Sequence, residues 1–229
     1  MIDVNFQDFR LSKIIVRAKR DKNFQLSTFS FQLSIMIWEN NEDIKLIECV
    51  NEKRTIQRNL NESREERRPY VFITSTMTVK PLRRLLVPVS MLEEETYKAE
   101  ICTYIARKTG AHIILLQAND YGSHAQQNVN RIITHIEAVN KRIQNSEFSE
   151  QNAEISYEVV LARKDSFKLI QEASERQRDF QHDLLILTAS RDYGLDDILF
   201  GPPERKAIQR ALVPVMLVNP REDLFSLCD

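Results

Sequence analysis

The chain has 229 residues, of which 42% are hydrophobic and 28% are charged, and its formal net charge is -1. This composition indicates a globular protein of one or two domains that can bury a sizeable core. The 32 basic and 33 acidic residues create no global field to attract nucleic acid or an anionic membrane. We therefore expect no nucleic-acid binding. No apolar run is long enough for a membrane span, so we also expect no membrane insertion.

The cysteines and the N-terminus favour a cytoplasmic protein. Cys49, Cys102 and Cys228 lie far apart in the sequence and form no C-x-x-C pair. Three such residues are too few for a disulfide framework, which indicates a reducing compartment. The opening residues MIDVNFQDFR do not have the pattern of a signal peptide.

Regular alternation of strands and helices begins at residue 82, whereas residues 1–80 look irregular on their own. The predicted strands are the apolar runs Arg84 to Ser90, His112 to Ala118, Ile155 to Ala162, Asp183 to Thr188 and Val213 to Asn219. The predicted helices are Leu92 to Lys108, a stripe from Val129 to Ile143, Ser166 to Gln177, and one that begins at Pro202. Apolar strands separated by helices predict a doubly wound α/β domain with a parallel five-stranded sheet over residues 82–220.

Residues 12–74 repeat words of the second half of that domain in the same order, which favours an internal repeat. The pairs are VRAKRD (16–21) with VLARKD (160–165), SFQL (30–33) with SFKL (166–169), DIKLI (43–47) with DLLIL (183–187), EKRTIQRNL (52–60) with ERKAIQRAL (204–212), and PYVFI (69–73) with PVMLV (214–218). Convergence of similar strand-helix-strand units is the alternative. The repeat divides the chain into a degenerate half-domain at residues 1–80 and a complete domain at residues 81–229.

These words resemble the universal stress protein family. The resemblance rests on RLLVPVS, GAHIILLQA, DLLIL, GPPERKAI and VPVMLVNP, and covers about 140 residues. It implies the sheet order 3-2-1-4-5 and association of domains through their last strands. Tyr70 to Ser75 would then pair with Val213 to Asn219 in an intrachain pseudo-dimer, or each strand would pair with a second chain in a homodimer. A separate small sheet of the N-terminal strands is a further alternative.

The resemblance also implies an ATP site, whose motif is G-x-x-G, nine residues, then G-S or G-T. Placing Gly201 on the last glycine puts Thr188 on the first glycine, Arg191 on the second and Pro202 on the hydroxyl residue. Ser90 stands where the family usually has an acid that meets the ribose. Ala118, at the end of the second strand, completes the set of positions that a ligand in the family's mode would approach.

The two prolines at this position argue against nucleotide binding. A phosphate cradle needs free N–H groups at the start of a helix, and neither Pro202 nor Pro203 has one. Proline is well tolerated in a first helical turn, so the helix start is kept. Arg side chains such as Arg191 and Arg205 could compensate in part. In the N-terminal copy the sequence ECVN leaves no room for a phosphate loop.

Other chemistry has weak support in the sequence. His124 and His135 show no metal spacing, and the acidic run at Glu93 to Glu95 fits the first turn of a helix. No Walker motif, nucleophile elbow or dinucleotide-binding glycine fingerprint is present. The stretches LSKIIVRAKRDK and SREERRP have the mixed charge of a solvated face, and Trp38 is expected in a core or an interface.

The sequence therefore predicts a non-enzymatic protein without a cofactor, which acts in stress response or regulation through an unidentified protein partner. One alternative is a nucleotide sensor that binds ATP or AMP through Arg191 and Arg205. Another is the soluble regulatory tail of a membrane ion transporter.

Overall fold

The structure is a computed structural model and describes residues 44–64, 69–92, 95–122, 124–144, 154–189 and 202–218. Its strands are β1 (Lys45–Cys49), β2 (Tyr70–Thr74), β3 (Arg84–Val89), β4 (His112–Gln117), β5 (Tyr157–Leu161), β6 (Leu184–Thr188) and β7 (Val215–Val218). Its α-helices are α1 (Lys53–Arg64), α2 (Glu95–Thr109), α3 (His124–Gln144), α4 (Leu169–Glu175), α5 (Gln177–Phe180) and α6 (Pro203–Arg210). None of the helices over these residues combines the length and apolarity that a membrane span requires.

All the strands of the described part of the chain form one mixed sheet in the order β1-β2-β7-β6-β3-β4-β5. Counted from β3, the last five strands lie in the order third, second, first, fourth, fifth, and all of their pairings are parallel. The five parallel strands predicted for residues 82–220 are thus part of a larger sheet, because β1 and β2 extend it to seven strands. The pairing of β2 with β7 is antiparallel.

The β2–β7 pairing matches the pair of segments expected from the sequence. Its register joins Tyr70 to Leu217, Val71 to Met216 and Phe72 to Val215. In the alignment of PYVFI with PVMLV, Val71 and Met216 are equivalent positions. The register is therefore symmetric about this central pair, as an isologous contact between two copies of one unit would be.

The outer pairings on both sides follow the same equivalence. β1 pairs with β2 in parallel register, with Leu46 opposite Val71. β6 pairs with β7 in the same way, with Ile186 opposite Met216. Leu46 and Ile186 are equivalent when DIKLI is aligned with DLLIL. Thus residues that are equivalent in the sequence alignment occupy equivalent positions in the strand pairings β1–β2 and β6–β7. The other repeat words, VRAKRD at 16–21 and SFQL at 30–33, lie outside the described residues, as does Trp38.

Helices cover both faces of the sheet because alternate strand residues point to opposite sides. One face packs Leu85 and Val87 of β3 with apolar residues of α2 and α3. The opposite face packs Leu86 with residues of α1, α4 and α6. Helix α2 ends at the expected Gly110, whose φ of 71° is the left-handed conformation that favours glycine after a helix.

Two predicted elements differ from the observed ones. The strand expected to be buried over Ile155 to Ala162 is the shorter edge strand β5, and the side chains of Val159 and Leu161 are exposed. The single helix expected over Ser166 to Gln177 is broken into the 3-10 turn Ser166–Lys168, α4 and α5. The break lies at Arg176, whose φ of -96° and ψ of 31° leave the α-helical region.

Candidate functional site

The candidate site lies at the carboxyl ends of β3 and β6. Helix α2, which follows β3, contributes to the core on one face, and α6, which follows the segment after β6, contributes to the core on the other. The chain thus leaves β3 and β6 in opposite directions, which makes this a topological switch point. The two strands pair at Leu85–Leu184 and Leu86–Leu185, before their last residues. A crevice between diverging strand ends is where ligands bind in sheets of this type.

Ser90 follows β3 directly, at the position where an acid would be expected to meet a ribose. The residue is 7% exposed, and its Oγ accepts a hydrogen bond from the Leu92 amide at 3.2 Å. The backbone carbonyl of Ser90 accepts a second hydrogen bond from Asn128 Nδ2 at 2.9 Å. Both hydrogen bonds therefore hold the loop that follows β3 in place. In contrast to an acid, the Ser90 hydroxyl supplies no negative charge at this position.

Asn128 is a site residue that sequence reasoning missed. Its Nδ2 donates to the carbonyls of both Ser90 and Leu92 at 2.9 Å, so one side chain of α3 holds the loop after β3. The residue is 3% exposed. A polar residue next to Val129, in a stripe that otherwise packs against the sheet, was the signal that could have identified it.

Lys98 is a second missed residue. It belongs to the first turns of α2 and is 2% exposed, and its Nζ donates to the backbone carbonyl of Pro88 at 2.5 Å. The amide of the residue at position 88 is missing because that residue is proline, but its carbonyl remains an acceptor. A buried ammonium therefore braces α2 against the end of β3.

A third set of contacts joins the loops after β3, β4 and β5. The Asp120 carboxylate accepts from the Ser166 amide at 2.9 Å and also from the Ser166 hydroxyl. Ser166 Oγ in turn accepts from the Met91 amide at 3.0 Å. These bonds tie the three loops to one another at the carboxyl edge of the sheet.

Ala118 and Thr188 occupy the ends of the neighbouring strands. Ala118 is 2% exposed, and its amide donates to the Val89 carbonyl at 3.0 Å, so it continues the β3–β4 ladder. The Thr188 hydroxyl is buried and has no hydrogen-bond partner among the described residues. Thr188 is thus a predicted site residue whose polar side-chain atom is left unsatisfied.

Pro202 and Pro203 form the start of α6. Pro202 is the N-cap, with φ of -63° and ψ of 151°, and its side chain gives the helix no capping hydrogen bond. The Pro202 carbonyl accepts from the Arg205 amide at 3.1 Å. This N-terminus therefore lacks two of the amides that a phosphate in the family's mode would use. Arg191, Gly201 and Ser190 lie outside the described residues.

Arg205 points to a different part of the molecule than a phosphate contact would require. Its Nη1 donates to Gln57 Oε1 on α1 at 3.1 Å, and the residue is 7% exposed. The guanidinium is thus engaged in the contact between α1 and α6. The connection between β1 and α1 offers no alternative cradle, because only residues 50–52 separate these two elements.

Thiol and metal chemistry find little support in the described part of the chain. Burial raises the pKa of the Cys49 thiol to about 11 and that of Cys102 to about 12, so both are protonated and unreactive at neutral pH. The described residues contain no group of three or more metal-ligating side chains. Cys228 lies outside them.

Comparisons with known proteins identify the type of domain. A sequence model described as the universal stress protein family matches residues 81–219. No curated protein matches the chain.

Solved structures also resemble the chain. A universal stress protein from Archaeoglobus fulgidus DSM 4304 has a TM-score of 0.54 at 14% identity, and the match covers 84% of this chain and 66% of the archaeal one. A universal stress protein in complex with cAMP has a TM-score of 0.46 at 13% identity, with 62% of this chain and 100% of that one covered. A functionally unknown protein from Pseudomonas aeruginosa PAO1 has a TM-score of 0.46 at 14% identity, with 91% and 71% covered. The similarity to the archaeal protein shows the fold of the chain. The TM-scores of the other two structures are too low to support a conclusion.

Proposed function

The chain belongs to the universal stress protein family, and from this premise we propose that it is a non-enzymatic regulatory protein that acts in the cytoplasm through a protein partner and no longer binds ATP in the family's mode. The single observation that carries the proposal is the start of α6, where Pro202 and Pro203 occupy the N-cap and first helical positions. These residues keep the helix start and remove the donors that would grip a polyanion.

The neighbouring contacts support the same interpretation. Ser90 is bonded within its own loop, and Asn128 uses its amide group to hold that loop. Arg205 contacts Gln57 of α1. The polar groups of Ser90, Asn128 and Arg205 therefore form hydrogen bonds within the protein, which stabilise the fold and leave fewer groups to contact a nucleotide.

The domain organisation belongs to the proposal as well. Residues 1–80 are a degenerate copy of the family unit and residues 81–229 a complete one, and the two copies form an intrachain pseudo-dimer through β2 and β7. The symmetric register about Val71 and Met216 supports this interpretation. Because β7 already has a neighbour on each side, its edges are not available to a second chain. Light scattering after gel filtration should give a monomer mass, and a dimer held by intermolecular β2–β7 pairing would contradict it.

Isothermal titration with ATP and with AMP tests the loss of nucleotide binding. We expect no binding heat up to about 1 mM nucleotide, because too few donors remain to offset the cost of ordering the phosphates. Binding in the micromolar range would overturn the proposal.

A nucleotide sensor is the second candidate, favoured by the buried, unsatisfied hydroxyl of Thr188. In that case Arg191 and Arg205 would supply the phosphate contacts. The R191A/R205A variant should then lose binding, while R163A, which removes an exposed arginine after β5, should keep it. Equal binding by both variants would exclude this candidate. In a further alternative, the chain is the soluble regulatory tail of a membrane ion transporter. The length of the full gene tests this alternative.

A further inference from the structure

A groove of about 540 Å³ runs along α1 and is bordered by α6. Its described lining residues are predominantly basic: Lys53, Arg54, Gln57, Arg58, Asn61, Glu62 and Arg205. We propose that this α1–α6 groove is the docking surface for an acidic peptide segment of a partner protein. The inference rests on the proposed partner-binding function, but it uses residues other than those of the degenerate nucleotide site.

The charge of the groove is one-sided. Among the described lining residues, four basic side chains accompany one carboxylate, that of Glu62. Glu62 lies at the far end of the groove, with its Oε1 at 3.9 Å from Arg58 Nε, and both side chains are more than half exposed. Such a pair is weak and easily exchanged, so Arg58 can pair with another acid instead.

The start of α1 adds to this imbalance. Lys53 and Arg54 occupy its first turn, and that turn contains no acidic residue. The exposed acid Glu52 directly precedes this turn, so two cations and one acid lie at the end of the helix where acids complement the helix dipole.

The two helices contribute equivalent positions. In the repeat EKRTIQRNL and ERKAIQRAL, Lys53 corresponds to Arg205 and Ile56 to Ile208. Both isoleucines are fully buried, which fixes the orientation of each helix on the sheet. The hydrogen bond from Arg205 to Gln57 joins the helices across the groove. The repeat therefore builds one basic surface from two copies of a basic helix.

The shape and composition favour a peptide over a nucleic acid. From Lys53 to Glu62 the helix extends about 14 Å, which matches four or five residues of extended chain. No aromatic side chain for base stacking is found among the described lining residues. Gln57 is bonded to both Arg205 and Asn61, so the Asn61 Nδ2 group is the amide that can pair with a peptide backbone, and the lysine and arginine stems offer apolar contact.

The experiment uses the full chain and a fluorescein-labelled hexaglutamate peptide, with hexaglutamine as the neutral control, in fluorescence anisotropy at about 20 mM salt, where charges act over longer distances. Hexaglutamate should bind, hexaglutamine should not, and R54E/R58E should weaken binding by about tenfold or more. Both substituted side chains are exposed, so the fold is preserved. K141E/R142E, which reverses two exposed charges at the end of α3, should bind like the wild type.

Three results would overturn the docking surface. They are the absence of hexaglutamate binding to the wild-type chain, equal loss of binding in both charge-reversal variants, and tighter binding of a DNA oligonucleotide than of hexaglutamate. The ATP titration is independent of this test. A chain that binds both ATP and hexaglutamate overturns the proposed loss of nucleotide binding and leaves the groove in place, whereas a chain that binds neither overturns the groove alone.

Discussion

Val71 of β2 lies directly opposite Met216 of β7, and the two residues occupy equivalent positions when PYVFI is aligned with PVMLV. Both are fully buried and belong to the same core cluster. Residues directly opposite each other in an antiparallel pair have their Cβ atoms within about 5.5 Å. This pair therefore joins the N-terminal strands β1 and β2 to β7 within the shared sheet.

A double-mutant cycle should detect this contact. V71A should lower the free energy of unfolding by about 2 kcal/mol, and M216A by about 2–5 kcal/mol, because each leaves a cavity in a packed core. If the side chains pack together, the double variant should depart from additivity by about 0.5 kcal/mol or more. Urea unfolding monitored by circular dichroism supplies the values.

The matched control pairs V71A with I114V. Ile114 lies on β4, four strand spacings from β2, or about 19 Å. These two changes should add within about 0.5 kcal/mol. Additive behaviour of V71A with M216A as well would show that the two strands are not coupled as the register indicates.

Glu172 should be a main contributor to the stability of the region after β5. Burial by itself would raise the pKa of this carboxyl, but hydrogen bonds from the Arg163 amide, the Arg176 guanidinium and the Lys164 amide outweigh it, and the pKa is held below its ordinary value. Those three bonds measure 3.0, 2.5 and 2.8 Å. E172Q should cost about 2–3 kcal/mol at neutral pH, since bonds to a charged acceptor are lost.

The pH dependence of this loss has a definite sign. A lowered folded pKa stabilises the fold above the unfolded value, and the contribution disappears as the pH falls through the folded pKa. The difference between wild type and E172Q should therefore shrink in acid. E175Q removes an exposed ion pair with Arg210, at 2.6 Å with both side chains 47% exposed, and should cost less than about 1 kcal/mol. A difference between wild type and E172Q that does not change with pH would contradict the assignment.

His182 should make the fold sensitive to mild acid. Burial, with a further contribution from the charge of Arg84, lowers the pKa of this imidazole to about 4. Both ring nitrogens are buried and have no partner among the described residues. An unfolded histidine takes up its proton near pH 6.5, so stability is complete above that pH and falls as the pH drops from about 6.5 towards 4.

Between about pH 6.5 and pH 4 the free energy of unfolding should fall by about 3 kcal/mol, because each unit of difference between the unfolded and folded pKa corresponds to about 1.36 kcal/mol. H182L should be at least as stable as wild type at pH 7, because an unsatisfied polar ring is removed, and should lose less stability in acid. H124Q changes an exposed histidine at the start of α3 and should keep the wild-type profile. A wild-type profile in H182L would show that His182 does not carry the acid sensitivity.

Much of this fold follows from the pattern of apolar residues. The runs RLLVPVS and HIILLQA become the interior strands β3 and β4, because only an uninterrupted apolar segment can be buried on both faces of a sheet. The segments Tyr70 to Ser75 and Val213 to Asn219, which the family resemblance led us to expect as partners, contain the paired strands β2 and β7. The sequence pattern was sufficient to predict these strands because nearly all of their residues are apolar and buried.

Other features depend on contacts that a sequence pattern does not encode. The segment ISYEVVLA has the composition of a buried strand, yet its position at the sheet edge leaves Val159 and Leu161 exposed. At the break between α4 and α5, the Arg176 side chain forms ion pairs with both Glu172 and Asp179. Asn128 and Lys98 bond to backbone carbonyls of β3 and its loop, and those partners are distant in sequence or carry no side-chain signal.

The most direct measurement of the central claim is a titration of isotopically labelled protein with ATP, followed by the backbone amide resonances of Ser90, Ala118 and Thr188. We predict no saturable shift of these resonances at about 5 mM ATP, a concentration that would fill most of even a millimolar site. Saturable shifts at all three, which surround the crevice between β3 and β6, would show that this end of the sheet still binds a nucleotide and would contradict the proposal.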